Sequence, residues 1–124
     1  MQCGDAFMLE DEDAVKEHLH VLVITPTDRD EVITVPICTR QRWSELLVSL
    51  EVGDHPFLRH SSFVSFRHAR IRKGEGIKNA IEKGLARKME AVSPEILRRI
   101  QNAFLESEHV ANDVREFFKE VMGI

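Results

Sequence analysis

The stretch His18-Leu19-His20-Val21-Leu22-Val23-Ile24-Thr25-Pro26-Thr27-Asp28-Arg29-Asp30-Glu31-Val32-Ile33-Thr34-Val35-Pro36-Ile37-Cys38 decides how the chain is read. Residues 18–25 and 31–38 are both β-rich runs, and Pro26-Thr27-Asp28-Arg29-Asp30 between them has the composition of a turn. The two runs are expected to pair as an antiparallel hairpin. Pro36 has no N–H for a ladder, so the end of the second run is expected at an edge or a bulge.

Outward from the hairpin, Ala6-Phe7-Met8-Leu9 gives a short strand, and the mostly acidic residues 10–17 give a loop. Glu45 to Val52 is read as a strand, stopped by Gly53-Asp54-His55-Pro56. Ser61 to Ile71 is read as another, with Phe63, Val64 and Phe66 as its apolar members. The remainder is helical. Ile77, Ile81 and Leu85 recur every four residues, although Gly74, Gly76 and Gly84 weaken that helix. Ser93-Pro94-Glu95 is a stronger start, with a capping hydroxyl, a proline suited to the first turn and an acid at the positive end of the dipole. Ile96, Leu97, Ile100, Ala103 and Phe104 form one apolar stripe, and Val110, Val114, Phe117, Phe118 and Val121 another, closed by Gly123. The expectation is an α+β chain forming one domain over residues 1–124. A small barrel or half-barrel of about five antiparallel strands occupies 1–72, and two or three helices occupy 73–124.

The 124 residues carry a net charge of −4, which by itself argues against a nucleic-acid partner. The charge is unevenly spread. Residues 1–54 hold twelve acids and four bases, 55–88 two acids and nine bases, and 89–124 seven acids and four bases. A basic middle at +7 is the footprint of an anion partner, unless the acidic first part neutralises it in space. No apolar run approaches the ~20 residues of a membrane helix, so no membrane partner is expected. Two cysteines, Cys3 and Cys38, make no disulfide framework. With no basic-then-apolar start, the cytoplasm is the expected compartment.

Lys73-Gly74-Glu75-Gly76 looks faintly like a phosphate loop but lacks the Lys-Ser or Lys-Thr pair; a flexible connection into a helix is the plainer reading. The chain has six histidines. His55, His60 and His68 lack a ligand spacing, so neither a metal nor another cofactor is expected. His18 and His20 flank Leu19 and share a strand face, where they could work as acid and base. On a regular strand His60 and His68 would stand ~26 Å apart, too far to share a site unless the strand bends. Cys38 is a nucleophile only with a base beside it.

The order of motifs, Gly4-Asp5, then Val21-Leu22-Val23-Ile24, then Ile33-Thr34-Val35-Pro36-Ile37-Cys38-Thr39, with His60-Ser61-Ser62-Phe63-Val64-Ser65-Phe66 and Ala69-Arg70-Ile71 later, resembles the PemK/MazF family of toxin-antitoxin toxins. The resemblance covers about residues 4–71. It implies an SH3-like β-barrel with added helices, often a homodimer, and an endoribonuclease of single-stranded RNA restrained by an antitoxin protein. In that chemistry a ribose 2′-hydroxyl attacks the adjacent phosphate, which calls for a base, an acid and a cation. The family's Arg and Pro fall on Leu19 and His20, and its strand-end Thr falls on Cys38, with Thr39 next. Catalysis would therefore rest on replacements: His18, His20, Thr39, Arg67 and His68. Arg59, His60, Arg70, Arg72 and Lys73 are the expected phosphate-binding residues. Two further readings stand beside this one, a non-catalytic protein-binding module of the same fold and a small hydrolase using Cys38 with a histidine.

Overall fold

The computed structural model describes residues 1–10 and 17–124. Its strands are β1 (Ala6–Glu10), β2 (Glu17–Leu22), β3 (Glu31–Thr39), β4 (Ser49–Leu50), β5 (Ser62–Val64), β6 (Arg70–Lys73) and β7 (Arg87–Met89). Its helices are α1 (Gly74–Glu82), α2 (Pro94–Ala103) and α3 (Asn112–Met122). The class is α+β, as read from the sequence. The expected acidic loop lies outside the described residues at 11–16, and its ends, Glu10 and Glu17, belong to β1 and β2.

All strand pairs are antiparallel, in the order β4-β5-β3-β2-β1-β7, with β6 also against β3. The hairpin is present, β2 against β3 with Val21 opposite Val35. The sheet ends at β4 and β7, which do not pair with each other, so it is open: of the expected barrel or half-barrel, a closed barrel is not formed. β7 lies in the stretch read as helical: Leu85 is 63% exposed, α1 stops before Gly84 at φ +75°, and the chain returns to pair with β1.

β3 is central and explains the largest departure from the sequence reading. One of its edges pairs with β2. Along the other, Glu31–Thr34 pair with β6 and Ile37–Thr39 with β5. Pro36 falls at the changeover, where its carbonyl accepts from the Ser65 N–H at 3.0 Å. A carbonyl and its own residue's nitrogen point to the same side of a strand, so the missing N–H of Pro36 faces a gap in the ladder and costs no bond. The proline thus sits in a central strand, not at an edge. For the same reason Ser61–Ile71 is not one strand. It breaks at a 3-10 turn, Phe66–His68, which drops Phe66 into the core and turns Arg67 and His68 outward. The run 45–52 also shortens, to Ser49–Leu50. Turns clip it on both sides, with the Ser44 hydroxyl accepting from Gln41 N–H at 2.7 Å and the Asp54 carboxylate from Glu51 N–H at 2.8 Å.

Period-2 alternation gives the sheet two faces. Ala6, Met8, Leu19, Val21, Ile33, Val35 and Ile37 face α2 and α3 in the main core. There Phe104 stacks on Phe118 at 4.4 Å and meets Phe66 edge-on at 5.8 Å. Burying such a ring stabilises the fold by about 1.5–3 kcal/mol. The Ser93 cap forms as expected, its hydroxyl accepting from Ile96 N–H at 3.2 Å, and Gly123 closes α3 at φ +71°. The opposite face carries a smaller core, Phe7, Leu9, Leu22 and Val32 under Ile77 of α1.

Candidate functional site

α1 covers only part of that second face. Beyond it, where β2 begins, β3 ends and β5 begins, a cleft of about 600 Å³ opens. Strand alternation points His18 and Cys38 into the same face, one step beyond the Leu19–Ile37 pair, and Cys38 stands opposite Phe63 of β5. Thr39 follows at the exposed end of β3. The connection from β4 to β5 brings Arg59 and His60 to the same cleft, and the one from β3 to β4 brings Trp43. Trp43 is 80% exposed and Phe57 is 38% exposed, so two aromatic rings are presented to solvent at the cleft walls.

The loop carrying Phe57, Arg59 and His60 is held by its own buried histidine. His55 is 3% exposed; its Nδ1 accepts from Phe57 N–H at 3.0 Å, and its Nε2 lies 2.6 Å from the Glu90 carbonyl. An accepting Nδ1 leaves the proton on Nε2, which donates to that carbonyl. His55 is thereby a structural residue that ties the loop to the chain after β7. Arg59 donates through one terminal nitrogen to Pro56 O at 2.6 Å, which leaves the other arm of its fork for a ligand. Among the described residues no group of three His, Cys, Asp or Glu could hold a metal ion.

The residues expected from sequence divide into four groups. His18, Thr39, Arg59 and His60 meet in the cleft. Arg67 and His68 line a separate pocket of about 110 Å³, which adjoins the cleft because Trp43 and Phe63 border both. The bend that was required to bring His60 and His68 near one another is the 3-10 turn, and it sends them to neighbouring pockets. Arg70, Arg72 and Lys73 lie on β6, opposite Thr34, Val32 and Glu31. Thr34 is four residues along β3 from Cys38, or ~13 Å. Arg72 donates to the Thr34 hydroxyl at 2.9 Å and Lys73 to the Arg29 carbonyl at 3.0 Å. His20 shares the face of His18 but is 1% exposed, in register with Phe7 and Pro36, so it touches no ligand in the cleft.

The basic segment is therefore not one surface. Part of it is spent internally, as in the ion pair of Arg87 with Glu17 at 3.1 Å. The suggestive Lys73-Gly74-Glu75-Gly76 motif is also occupied from within. Asp30, at φ +59°, accepts from Gly74 N–H through its carbonyl at 2.8 Å and from Glu75 N–H through its carboxylate at 2.7 Å. The positive end of α1 thus already has its anion. A Cβ on Gly74 would come within 2.4 Å of that carboxylate.

Sequence reading missed His109, whose ring joins Arg67 across 42 residues, and the partnership of Trp43 with Phe57. Trp43 stands between Arg42 and Ser44 in a polar stretch, which is a signal for an exposed ring; nothing local marks His109. A scan against models of known protein families gives no match to the chain, and a search of curated proteins gives none either.

Proposed function

We propose that the chain is an RNA-binding protein whose cleft takes single-stranded RNA and supports its cleavage. One observation carries this reading: His18, Arg59 and His60 come from separate places in the sequence and meet beside two exposed aromatic rings. Two imidazoles and a guanidinium supply the base, the acid and the cation that attack of a 2′-hydroxyl on its adjacent phosphate calls for. One imidazole takes the hydroxyl proton, the other protonates the leaving 5′-oxygen, and the guanidinium offsets the charge gained by the phosphorane. Trp43 and Phe57 offer stacking surfaces for unpaired bases, and Thr39 adds a hydroxyl at the cleft edge.

The order of motifs that resembles PemK/MazF toxins supports the same reading. In those terms the open sheet is an SH3-like barrel loosened at β4 and β7, the chain is a cytoplasmic homodimer, and an antitoxin protein restrains it. Arg70, Arg72 and Lys73 then act as a remote phosphate track rather than as part of the cleft. A specific observation favours the non-catalytic module as the second reading. Leu46, Leu47 and Val52 are 46%, 41% and 63% exposed on the same segment as Trp43, an apolar surface suited to a protein.

The test is incubation of the purified protein with a labelled single-stranded oligoribonucleotide, read for binding and for 2′,3′-cyclic phosphate ends. His18→Ala and His60→Ala are each expected to lower cleavage by about 10²-fold or more. Binding without cleavage by the unaltered protein would favour the module; no binding in low salt would end the RNA reading.

A further inference from the structure

The small pocket beside the cleft has a donor arrangement of its own. Arg67 is a pure donor, so its contact with His109 Nδ1 at 3.1 Å makes that nitrogen the acceptor and leaves the His109 proton on Nε2. The Ser65 hydroxyl and His68 Nδ1 are 2.8 Å apart; with the hydroxyl donating, His68 also carries its proton on Nε2. Ser65 is 4% exposed and is fixed through its N–H to the Pro36 carbonyl, so the pair hangs from the central strand. His109 is held by its own N–H to the Ser107 hydroxyl at 3.1 Å. That hydroxyl points at the carboxylate of Glu45, 2.9 Å from each oxygen, and Arg115 donates to the Ser107 carbonyl. Arg67, His68 and His109 are themselves exposed, so their remaining N–H groups are open to a ligand.

We propose that this pocket is a phosphate subsite, in which Arg67, His68 and His109 together hold one phosphate group. The chemistry is that of an acceptor-only ligand: the guanidinium and both imidazoles line one pocket, and with the Ser65 hydroxyl donating to His68 each of the three has an N–H to give. Glu45 lines the pocket and is the adverse charge; its carboxylate is turned to the Ser107 hydroxyl. The volume of about 110 Å³ suits a single tetrahedral anion and not a nucleoside. Because Trp43 and Phe63 border both spaces, a phosphate here lies next to a base stacked in the cleft. The subsite gives the RNA reading a second anchoring point and rests on that reading only for its source of phosphate, which is either a chain terminus or an internal linkage.

The first experiment uses inorganic phosphate and no RNA. Protein labelled with 15N-histidine is titrated at constant ionic strength, with long-range 1H–15N spectra of the rings. The rings of His68 and His109 should shift together along one saturating curve, and Arg67→Ala should weaken it by about tenfold. Arg67→Lys, which keeps the charge and loses the fork, should fall between. Absence of a saturating shift, or an unchanged curve in Arg67→Ala, overturns the subsite. The side chain of Arg67 is exposed, so the variant keeps the fold. The second experiment compares 5′-phosphorylated and 5′-hydroxyl oligoribonucleotides. A preference for the phosphorylated one that disappears in Arg67→Ala assigns the pocket to a chain terminus. Equal binding, equally weakened in Arg67→Ala with a salt slope smaller by about one, assigns it to an internal linkage. Saturation by inorganic phosphate without RNA binding supports the subsite while ending the RNA reading, so the two fail separately.

Discussion

The two faces of the sheet are built from the same alternating strands and end differently. One is covered by α2 and α3, and every side chain it buries along β1, β2 and β3 is apolar. The other, among the described residues, meets α1, and along β2 it changes past Leu22 to His20 and His18, with Cys38 beside His18 on β3. A covered face must be apolar throughout, because an unpaired polar group there is costly. A half-covered face can carry imidazoles, a thiol and hydroxyls where the covering helix stops. The site is therefore located by where α1 ends over the sheet as much as by the residues themselves.

That contrast can be broken most severely at Phe104. Phe104→Ala removes a ring at 0% exposure that contacts Phe66 and Phe118. It should destabilise the chain by about 3–5 kcal/mol in chemical denaturation. A small change there would mean that the covered face does not carry the stability. Trp43→Ala tests the other face. RNA affinity should drop by about 1–3 kcal/mol in anisotropy titrations, with the denaturation midpoint unmoved because the ring is 80% exposed. A loss of stability in that variant would show the ring to be structural.

Smaller effects test how the helices are seated. Asp30→Ala removes the carboxylate at the start of α1 and places alanine at positive φ, so a loss of about 1–2 kcal/mol is expected. Asp30→Asn, which keeps an acceptor and tolerates that backbone, should recover most of it. If Asp30→Ala instead gained phosphate affinity at α1, the internal capping would be confirmed as what keeps anions from that helix. Ser93→Ala should cost about 1 kcal/mol through the start of α2 on the covered face, with RNA binding unchanged.

The hairpin, the Ser93 start and the Gly123 stop were legible because each depends on neighbours in the chain: alternation, a capping hydroxyl, a left-handed backbone. The break at 65–69 was not, because its cause lies in Pro36, on another strand, and in the core position waiting for Phe66. Of the candidate site, His18 could be found from its strand face and Arg59 from the basic segment in which His60 also lies, whereas Thr39 came only from the resemblance. That His20, two residues from His18, lies sealed against solvent could not, since burial depends on what is packed above it.

The sequence by itself determined the α+β class, the two-faced strands, the Ser93 cap, the Gly123 stop and the uneven charge. These follow from local sterics, hydrogen-bonding capacity and periodicity. Only the tertiary structure decided that the sheet stays open, that the nine bases of residues 55–88 scatter over several surfaces, and that Arg67 meets His109 across 42 residues. Those outcomes depend on which edges pair and which helix covers which face, and such long-range choices leave no periodic trace in the chain that makes them.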